Sequence, residues 1–236
     1  FTGTAEADST VEIFSDGTSL GTATTDSNGD WTFNVSSALD AGTYSITATS
    51  TDSAGNTSEV SSALSLTIDS TAPSAPNTPD LASSTDTGSS TSDDITADTT
   101  PTFTGTAEAD STVEIFSDGT SLGTTTADNN GNWSFTSSAA LSAGSHSITT
   151  KATDTAGNTS SASSALTISI QYVMSDRSEL DSAVAAWHAD ESAAIASYGD
   201  INTWDVSAIT DFSNLFKNRT SFNSDISNWN VSSGTN

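Results

Sequence analysis

Two identical stretches decide how this chain folds: FTGTAEADSTVEIFSDGTSLGT occupies residues 1–22 and returns unchanged at residues 103–124. At this offset of 102 residues the two copies align without a gap as far as Ile68 and Ile170. Such close identity between neighbouring blocks is typical of a tandem array of small modules. It is unusual for a single catalytic domain, and we therefore predict that the protein is not an enzyme.

Alternation of apolar and polar residues, interrupted by turn residues, predicts six strands in the second copy. Their predicted bounds are 102–106, 112–117, 121–127, 132–136, 145–153 and 161–170, with hairpin turns at Asp118-Gly119 and Asn130-Gly131. A seventh strand is expected before residue 102, and residues 79–82 are the candidate. Seven short antiparallel strands in about 100 residues predict an immunoglobulin-like β-sandwich.

The first copy begins at its second strand, so its first strand is expected to come from elsewhere. Either the sequence is an excerpt from a longer array, or a neighbouring molecule supplies a strand to the open sheet edge. The predicted fold is mainly β, with tandem Ig-like sandwiches at 1–70 (lacking its first strand) and 71–171. A small α+β module, with a helical segment and a leucine-rich-repeat-like part, is expected at 172–236.

Composition excludes several classes of protein. The chain has 30 acidic and 4 basic residues and a net charge of −26, so it should repel nucleic acid and anionic membrane surfaces. Because there is no cysteine, disulfides and thiolate metal sites are excluded. No apolar run is long enough to predict a membrane span.

Several motifs resemble the bacterial Ig-like repeats of large surface adhesins. The matching stretches are TPTFTGTAEADSTVEIF (100–116), DNNGNWSF (128–135), KATDTAGNTS (151–160), IDSTAP (68–73) and STDTGSSTSDDITADTTP (84–101). The resemblance implies a secreted protein of the bacterial cell surface. It also implies that the repeats are stiffened by Ca²⁺ and hold an adhesive tip away from the cell.

Strand order predicts a calcium site where the two Ig-like domains meet. The turns after the second strand and in TDTAGN lie at one pole of the second domain, where the exit of the first domain should arrive. The expected ligands are Asp69, Glu108, Asp110, Asp154 and Asn158, and the equivalent half-site in the first domain is Glu6, Asp8, Asp52 and Asn56. Calcium takes six to eight oxygen ligands of these kinds. The alternative is that these side chains only cap tight turns.

A second cluster of carboxylates lies in the long loop that follows the candidate first strand. Its members are Asp86, Asp93, Asp94 and Asp98, with Asp80 nearby. A loop this long inside a compact domain is either disordered or held by something. We therefore predict a second calcium site here.

The pattern changes after Ile170. Ser178 and Asp181 suggest a helix N-terminus, and a second short helix at 191–197 is expected to end at Gly199. WDVS at Trp204 then returns as WNVS at Trp229, a spacing in the range of leucine-rich repeats. Residues 172–236 resemble BspA-type leucine-rich-repeat surface proteins. The two tryptophans either stack on a sugar or pack as successive rungs.

Together these features predict a calcium-stiffened extender of a bacterial surface adhesin that presents a repeat-type module. The expected partners are neighbouring Ig-like domains of the same chain and a surface glycan or protein at the C-terminal module. One alternative is a subunit of an extracellular fibre, in which copies of the chain exchange strands. Another is a non-catalytic carbohydrate-binding part of a secreted enzyme.

Overall fold

The computed structural model describes residues 1–87 and 90–235. The chain forms two compact units, Phe1–Thr71 and Ala72–Asn236, and each is described by itself. Among the described residues, no helix has both the length and the apolar character needed to cross a membrane.

The first unit contains six strands in two sheets. The strands are β1 (Thr2–Thr4), β2 (Thr10–Ser15), β3 (Thr18–Thr24), β4 (Asp30–Thr32), β5 (Gly42–Thr51) and β6 (Leu64–Ile68). One sheet is the pair β1–β4, and the other has the order β3-β2-β5-β6. Val11 and Ile13 alternate with polar residues along β2 and are buried, as a strand with one solvated face requires.

The Ig-like part of the second unit repeats these strands and adds two. The strands are β7 (Asp80–Leu81), β8 (Ile95–Thr96), β9 (Thr102–Thr106), β10 (Thr112–Ser117), β11 (Thr120–Thr126), β12 (Asn132–Thr136), β13 (Gly144–Thr153) and β14 (Leu166–Ile170). The sheets have the orders β12-β9-β7 and β11-β10-β13-β14-β8. The predicted β-sandwich and its additional first strand β7 are therefore confirmed. The last strand begins at Leu166 rather than at the predicted residue 161, and the parallel strand β8 was not expected.

The two copies differ in how completely their cores are covered. Phe103 is 0% exposed and Trp133 is 4% exposed in the second unit, whereas their counterparts Phe1 and Trp31 are only partly buried. In the second unit β7 pairs with β9 and places Leu81, 3% exposed, in this core. The phenylalanine at the start of the identical block is therefore fully buried in the copy that a further strand covers.

The C-terminal part packs around its own apolar core. Helix α1 (Arg177–Ala189) and helix α2 (Glu191–Tyr198) are followed by a short 3-10 helix at Ile201–Thr203. The buried residues are Met174, Leu180, Ala183, Val184, Trp187, Ala194, Ile201, Trp204, Val206, Ile209, Leu215 and Trp229. The α2 helix ends at Gly199 as predicted, with φ of 70°.

The start of α1 corrects the sequence interpretation. Asp176, not Ser178, is the N-cap, and its carboxylate accepts a 2.8 Å hydrogen bond from the Glu179 amide. Glu179 reaches back to the Ser175 amide at 2.7 Å. The helix therefore begins two residues earlier than expected, because Asp176 has the extended backbone that an N-cap requires.

Turns dominate the segment with the repeated tryptophan motif. Between residues 171 and 235 the structure assigns no strand, only an isolated parallel bridge between Val173 and Asp205. In each copy of the motif the residue after tryptophan accepts from an amide two residues later: Asp205 from Ser207 at 2.9 Å, and Asn230 from Ser232 at 3.1 Å. The relation to leucine-rich repeats stays a prediction, since no ladder of repeat strands is assigned here.

Candidate cation sites

The predicted ligand pair Asp154–Asn158 closes its own turn. One carboxylate oxygen accepts the amides of Ala156 and Asn158 at 2.9 and 2.8 Å, and the other accepts the Asn158 side-chain amide at 2.8 Å. These donors, with the Asn158 side chain first, hold the pKa of Asp154 below its ordinary value. Asp52 and Asn56 make the same contacts in the first unit, and the Asn56 side chain likewise lowers the pKa of Asp52.

The other predicted ligands at this pole are exposed in tight turns. Asp8 and Asp110 occupy matching left-handed positions, with φ of 58° and 62°, and Glu6 and Glu108 precede them on exposed backbone. Glu6, Asp52 and Asn56 line one cavity of the first unit. Asp52 and Asn56 contact each other directly, whereas Glu6 shares with them the lining of this cavity.

The expected site between the domains requires residues from both units. Asp69 lies in the first unit, where its Oδ1 accepts the Thr71 amide at 2.9 Å. Its expected partners Glu108, Asp110, Asp154 and Asn158 belong to the second unit. The bridging site remains a prediction.

Asp86 is the predicted ligand with the least ordinary surroundings. It is 2% exposed, its Oδ2 accepts the Asp94 amide at 3.4 Å, and its Oδ1 has no hydrogen-bond partner. Burial raises the pKa of Asp86, and the nearby charges of Asp93 and Asp80 raise it further. A buried carboxylate with one oxygen unpaired is costly as an anion, so this position favours either a proton or a cation.

Asp94 shares this environment. It is half-buried in the left-handed region, with φ of 61°. Its pKa is raised by burial and then by the charges of Asp80, Asp86 and Asp93. Asp80 and Asp94 line a cavity of about 340 Å³. The charges of Asp80, Asp86, Asp93 and Asp94 thus act on one another, and the calcium site expected from the sequence stays a prediction.

Asp98 has a different role from the other acids of the loop. Its Oδ1 accepts the Thr100 amide at 2.8 Å and the Thr100 hydroxyl at 3.1 Å, which caps a turn leading to β9. Within residues 1–87 and 90–235, no group of three or more acidic, histidine or cysteine side chains is arranged so that it could hold a metal ion. The fit to a cation therefore rests on the buried Asp86 Oδ1 and its charged neighbours.

A serine, a histidine and an aspartate also meet in the second unit, at positions that the sequence did not single out as a set. His146 Nδ1 lies 2.7 Å from Asp118 Oδ2 and 3.3 Å from Ser117 Oγ, and Nε2 lies 2.9 Å from the Ser142 carbonyl oxygen. A nucleophilic relay needs the hydroxyl and the carboxylate on different ring nitrogens. Here both are on Nδ1, so the three side chains lack the geometry of a relay and fit a structural role.

The two tryptophans of the C-terminal motif lie inside the module. Trp204 is 1% exposed and Trp229 is 8% exposed, and their rings stack with centroids 6.1 Å apart. Their indole N–H groups donate to the Gly199 and Ile201 carbonyl oxygens. They pack as rungs, the alternative to sugar stacking, because neither ring offers an open face.

Sequence comparison identifies the repeated part. The family described as bacterial Ig-like domain matches residues 1–70 and again residues 72–171. The chain belongs to the bacterial Ig-like domain family. These two domains correspond to the repeated strands β1–β6 and to β7–β14. A second family, described as a Mycoplasma protein of unknown function, DUF285, matches residues 189–236. A comparison with curated proteins found no match.

Solved structures similar to the Ig-like domains include two adhesins and a fibronectin-like protein. A Ca²⁺-stabilized adhesin of an Antarctic bacterium is 26% identical over 76% of this chain and 49% of its own, with a TM-score of 0.36. A tetra-tandem repeat from the extending region of a large adhesion protein is 23% identical over 71% and 44%, with a TM-score of 0.32. Fibronectin(III)-like modules of Clostridium thermocellum CbhA are 18% identical over 70% and 78%, with a TM-score of 0.40. The chain spans less than half the length of either adhesin.

Proposed function

We propose that the chain is a spacer segment of an extracellular bacterial adhesin, in which tandem Ig-like domains hold an adhesive part away from the cell surface. The observation that carries this proposal is the tandem arrangement of two Ig-like domains. Two adjacent family matches share an unbroken identical block of twenty-two residues, 1–22 and 103–124. Each copy adds length without needing a ligand of its own, since each packs its own strands.

The surroundings of the carboxylates support a structural role over a catalytic one. The carboxylate oxygens of Asp52 and Asp154 accept hydrogen bonds from amides of their own turns. The same contacts recur in both domains, which is the expected result when a turn is copied with its domain. A general acid–base pair instead needs two carboxylates with different environments on one substrate.

We also propose that Ca²⁺ stiffens the repeats, and the surroundings of Asp86 support this most directly. A divalent cation at Asp86 would balance a buried charge and offset the repulsion from Asp80, Asp93 and Asp94. It would also hold the loop between β7 and β8 against the sandwich.

For the C-terminal part we propose contact with a surface glycan or protein. Three of the four basic residues of the chain, Arg177, Lys217 and Arg219, lie in this part. Arg177 is already paired with Asp181 and Asp211, which leaves Lys217 and Arg219 as the basic side chains available to a partner. The resemblance to BspA-type surface proteins supports the same proposal.

Thermal unfolding with Ca²⁺ and with a chelator tests calcium stiffening. If Ca²⁺ binds only the folded chain, stability rises by roughly 2.7 kcal/mol at a concentration one hundred times the Kd. Asp86→Asn keeps the size of the side chain but removes its charge. We expect this variant to lose most of the increase that Ca²⁺ causes, and to be at least as stable as the wild type in chelator.

Asp128→Asn is the matched control, because Asp128 is an exposed carboxylate that caps the turn before β12. This variant should keep the full response to Ca²⁺. Equilibrium dialysis with radioactive calcium should show fewer ions bound to Asp86→Asn than to the control. Equal melting temperatures with and without Ca²⁺ would contradict calcium stiffening, but would leave the spacer proposal to be judged by cell-surface location and length.

A further inference from the structure

A polar cleft lies between the second Ig-like domain and the C-terminal part, inside the second compact unit. One wall comes from β8, the loop before it and the residue after β14, and the other from residues in and next to the two copies of the tryptophan motif. The cavity measures about 340 Å³. This volume is near the lower end of the roughly 300–1,000 Å³ that small-molecule sites occupy.

Backbone hydrogen bonds join the two walls of the cleft. The Gln171 amide donates to the Thr96 carbonyl oxygen at 2.7 Å, which fixes the end of β14 to β8. The Asp205 amide donates to the Tyr172 carbonyl oxygen, and the Met174 amide donates to the Asp205 carbonyl oxygen, both at 2.9 Å. The C-terminal part is therefore held against the end of β14, and the cleft exists before a ligand binds.

After Asn230 the chain turns back into the C-terminal part, where the Thr235 amide donates to the Thr210 carbonyl oxygen at 2.7 Å. None of residues 231–235 lines the cleft. Its walls are therefore formed by residues up to Asn230.

The side chains of the cleft are suited to sugar hydroxyls. The lining residues with an amide or a carboxylate are Gln171, Asn202, Asn228, Asn230, Asp93 and Asp205. Amides both donate and accept hydrogen bonds, and carboxylates accept them. Because a sugar hydroxyl also donates and accepts, this mixture can pair with several neighbouring hydroxyls of one sugar.

Part of this set is held in place, and part is available to a ligand. The Asn202 Nδ2 donates to Asp225 Oδ2 at 3.1 Å, and its Oδ1 accepts the Asn228 amide at 3.0 Å. Within the described residues, Asp205 Oδ2 and the side chains of Gln171 and Asn228 make no hydrogen bond. The cleft thus combines a fixed amide with polar groups that can still bind.

Charge and polarity restrict the class of ligand. No basic side chain lines the described part of the cleft, whereas the carboxylates of Asp93 and Asp205 would repel an anionic sugar. A metal ion is not favoured either, since no three acidic, histidine or cysteine side chains are suitably arranged in the described ranges. An apolar ligand would gain little, because Trp204 is 1% exposed. A neutral, hydroxyl-rich molecule remains.

We propose that this cleft binds a neutral saccharide of a surface glycan through hydrogen bonds from the amide and carboxylate side chains of its walls. The inference rests on the proposed contact between the C-terminal part and a surface partner, and it names the class of that partner. Hydrogen bonds carry the recognition, because the rings of Trp204 and Trp229 are buried.

Binding of the labelled full chain to an array of immobilised oligosaccharides tests the proposal. The array carries neutral glycans that end in glucose, galactose, mannose or fucose, beside glycans that end in sialic acid, uronic acid or sulfate. A chelator is present throughout, so that Ca²⁺ does not contribute. We expect binding to neutral glycans and none to anionic ones. Isothermal titration calorimetry then gives the Kd for the neutral oligosaccharide that binds.

Variants of the protein locate the binding. Gln171→Ala and Asn228→Ala each remove one amide from the cleft, and each should raise the Kd at least about fivefold because a hydrogen bond to the sugar is lost. Asn223→Ala is the matched control, since Asn223 is an exposed asparagine of the same part outside the cleft lining. It should leave the Kd unchanged within a factor of about two. All three should keep the wild-type circular dichroism spectrum.

Three results would overturn the proposal. They are no binding of any neutral glycan at millimolar concentration, binding of anionic glycans alone, and equal weakening by Asn223→Ala. Adhesion to whole cells separates this proposal from the one on which it rests. Equal adhesion before and after periodate oxidation of the cells' glycans would assign the contact to a protein and overturn the saccharide cleft alone. Absence of binding to both cells and glycans would overturn both.

Discussion

At the scale of the residue, the aspartates of this chain divide into two kinds according to what surrounds the carboxylate. Asp154 accepts several hydrogen bonds in an open turn, and these lower its pKa. Asp86 is buried among other acids, and burial raises its pKa. Because the first kind is stabilised as an anion and the second as a neutral acid, the two must respond to pH in opposite directions.

Stability measured against pH in chelator should show this opposition. The pKa of folded Asp86 lies above its ordinary value of 3.8. The stability that protonated Asp86 contributes to the folded protein is therefore fully present at low pH and is lost as pH rises through the folded pKa. We therefore expect Asp86→Asn to gain stability over the wild type as pH rises from acid towards neutrality. Thermal melts from pH 3 to pH 7 provide the measurement.

Asp154→Asn serves as the control of opposite sign. The pKa of folded Asp154 is lowered from 3.8. The stability that ionised Asp154 contributes to the folded protein is therefore present above pH 3.8 and is lost as pH falls through the folded pKa. The wild type should exceed this variant at neutral pH, and the difference should shrink in acid. If both variants changed in parallel with pH, the contrast between buried and turn aspartates would be wrong.

Glycine has a packing role at one repeated position. A Cβ atom on Gly105 would lie 2.5 Å from the Trp133 ring, and one on Gly3 would lie 2.6 Å from Trp31. The indole of each domain lies directly on the strand that faces it. This requirement explains why a glycine is found inside β1 and β9, where it otherwise weakens a strand.

At the scale of the element, local sequence signals predicted the hairpins well. Asp118 and Gly119 both have positive φ, 52° and 81°, as expected of the turn that joins β10 and β11. The strand β8 carries no such signal. It is two residues long and pairs in parallel with Ser169 and Ile170, far along the chain. Its existence depends on a tertiary contact.

The N-terminus of α1 gives a prediction at this scale. Asp176→Ala removes the carboxylate that caps the Glu179 amide, and should lower the free energy of unfolding by about 1 kcal/mol. Ser178→Ala is the control, because Ser178 lies inside the helix and should have little effect. Urea denaturation followed by tryptophan fluorescence measures both. A larger loss from Ser178→Ala would return the N-cap to the position suggested by sequence alone.

At the scale of the whole molecule, the two compact units have cores of different size. The first buries three hydrophobic side chains fully, Val11, Ile13 and Ile46. The second contains two larger clusters, one in the sandwich and one around Trp204. Because stability depends on the apolar area removed from water, the first unit should be the less stable.

Calorimetry should therefore resolve two transitions, with the first unit unfolding at the lower temperature. Trp31 is the tryptophan of the first unit. Trp31→Phe should remove the fluorescence change of the lower transition and preserve that of the upper one. A single transition for the wild type, with no change in its fluorescence midpoint in Trp31→Phe, would contradict this prediction.

The sequence by itself determined the repeated sandwich, its hairpins and the acidic loop. These follow from the alternation of apolar and polar residues in the strands, from turn residues that favour special backbone angles, and from an identical block that occurs twice in the sequence. Tertiary structure decided which of the acids differ from ordinary turn residues and which copy of the block is fully covered. Asp86 and Asp98 look alike in sequence, yet only Asp86 is buried without a partner for one oxygen. The reason is physical, because burial and charge repulsion arise from residues that folding brings together. Phe103, for example, is buried in the cluster to which Leu81 also belongs.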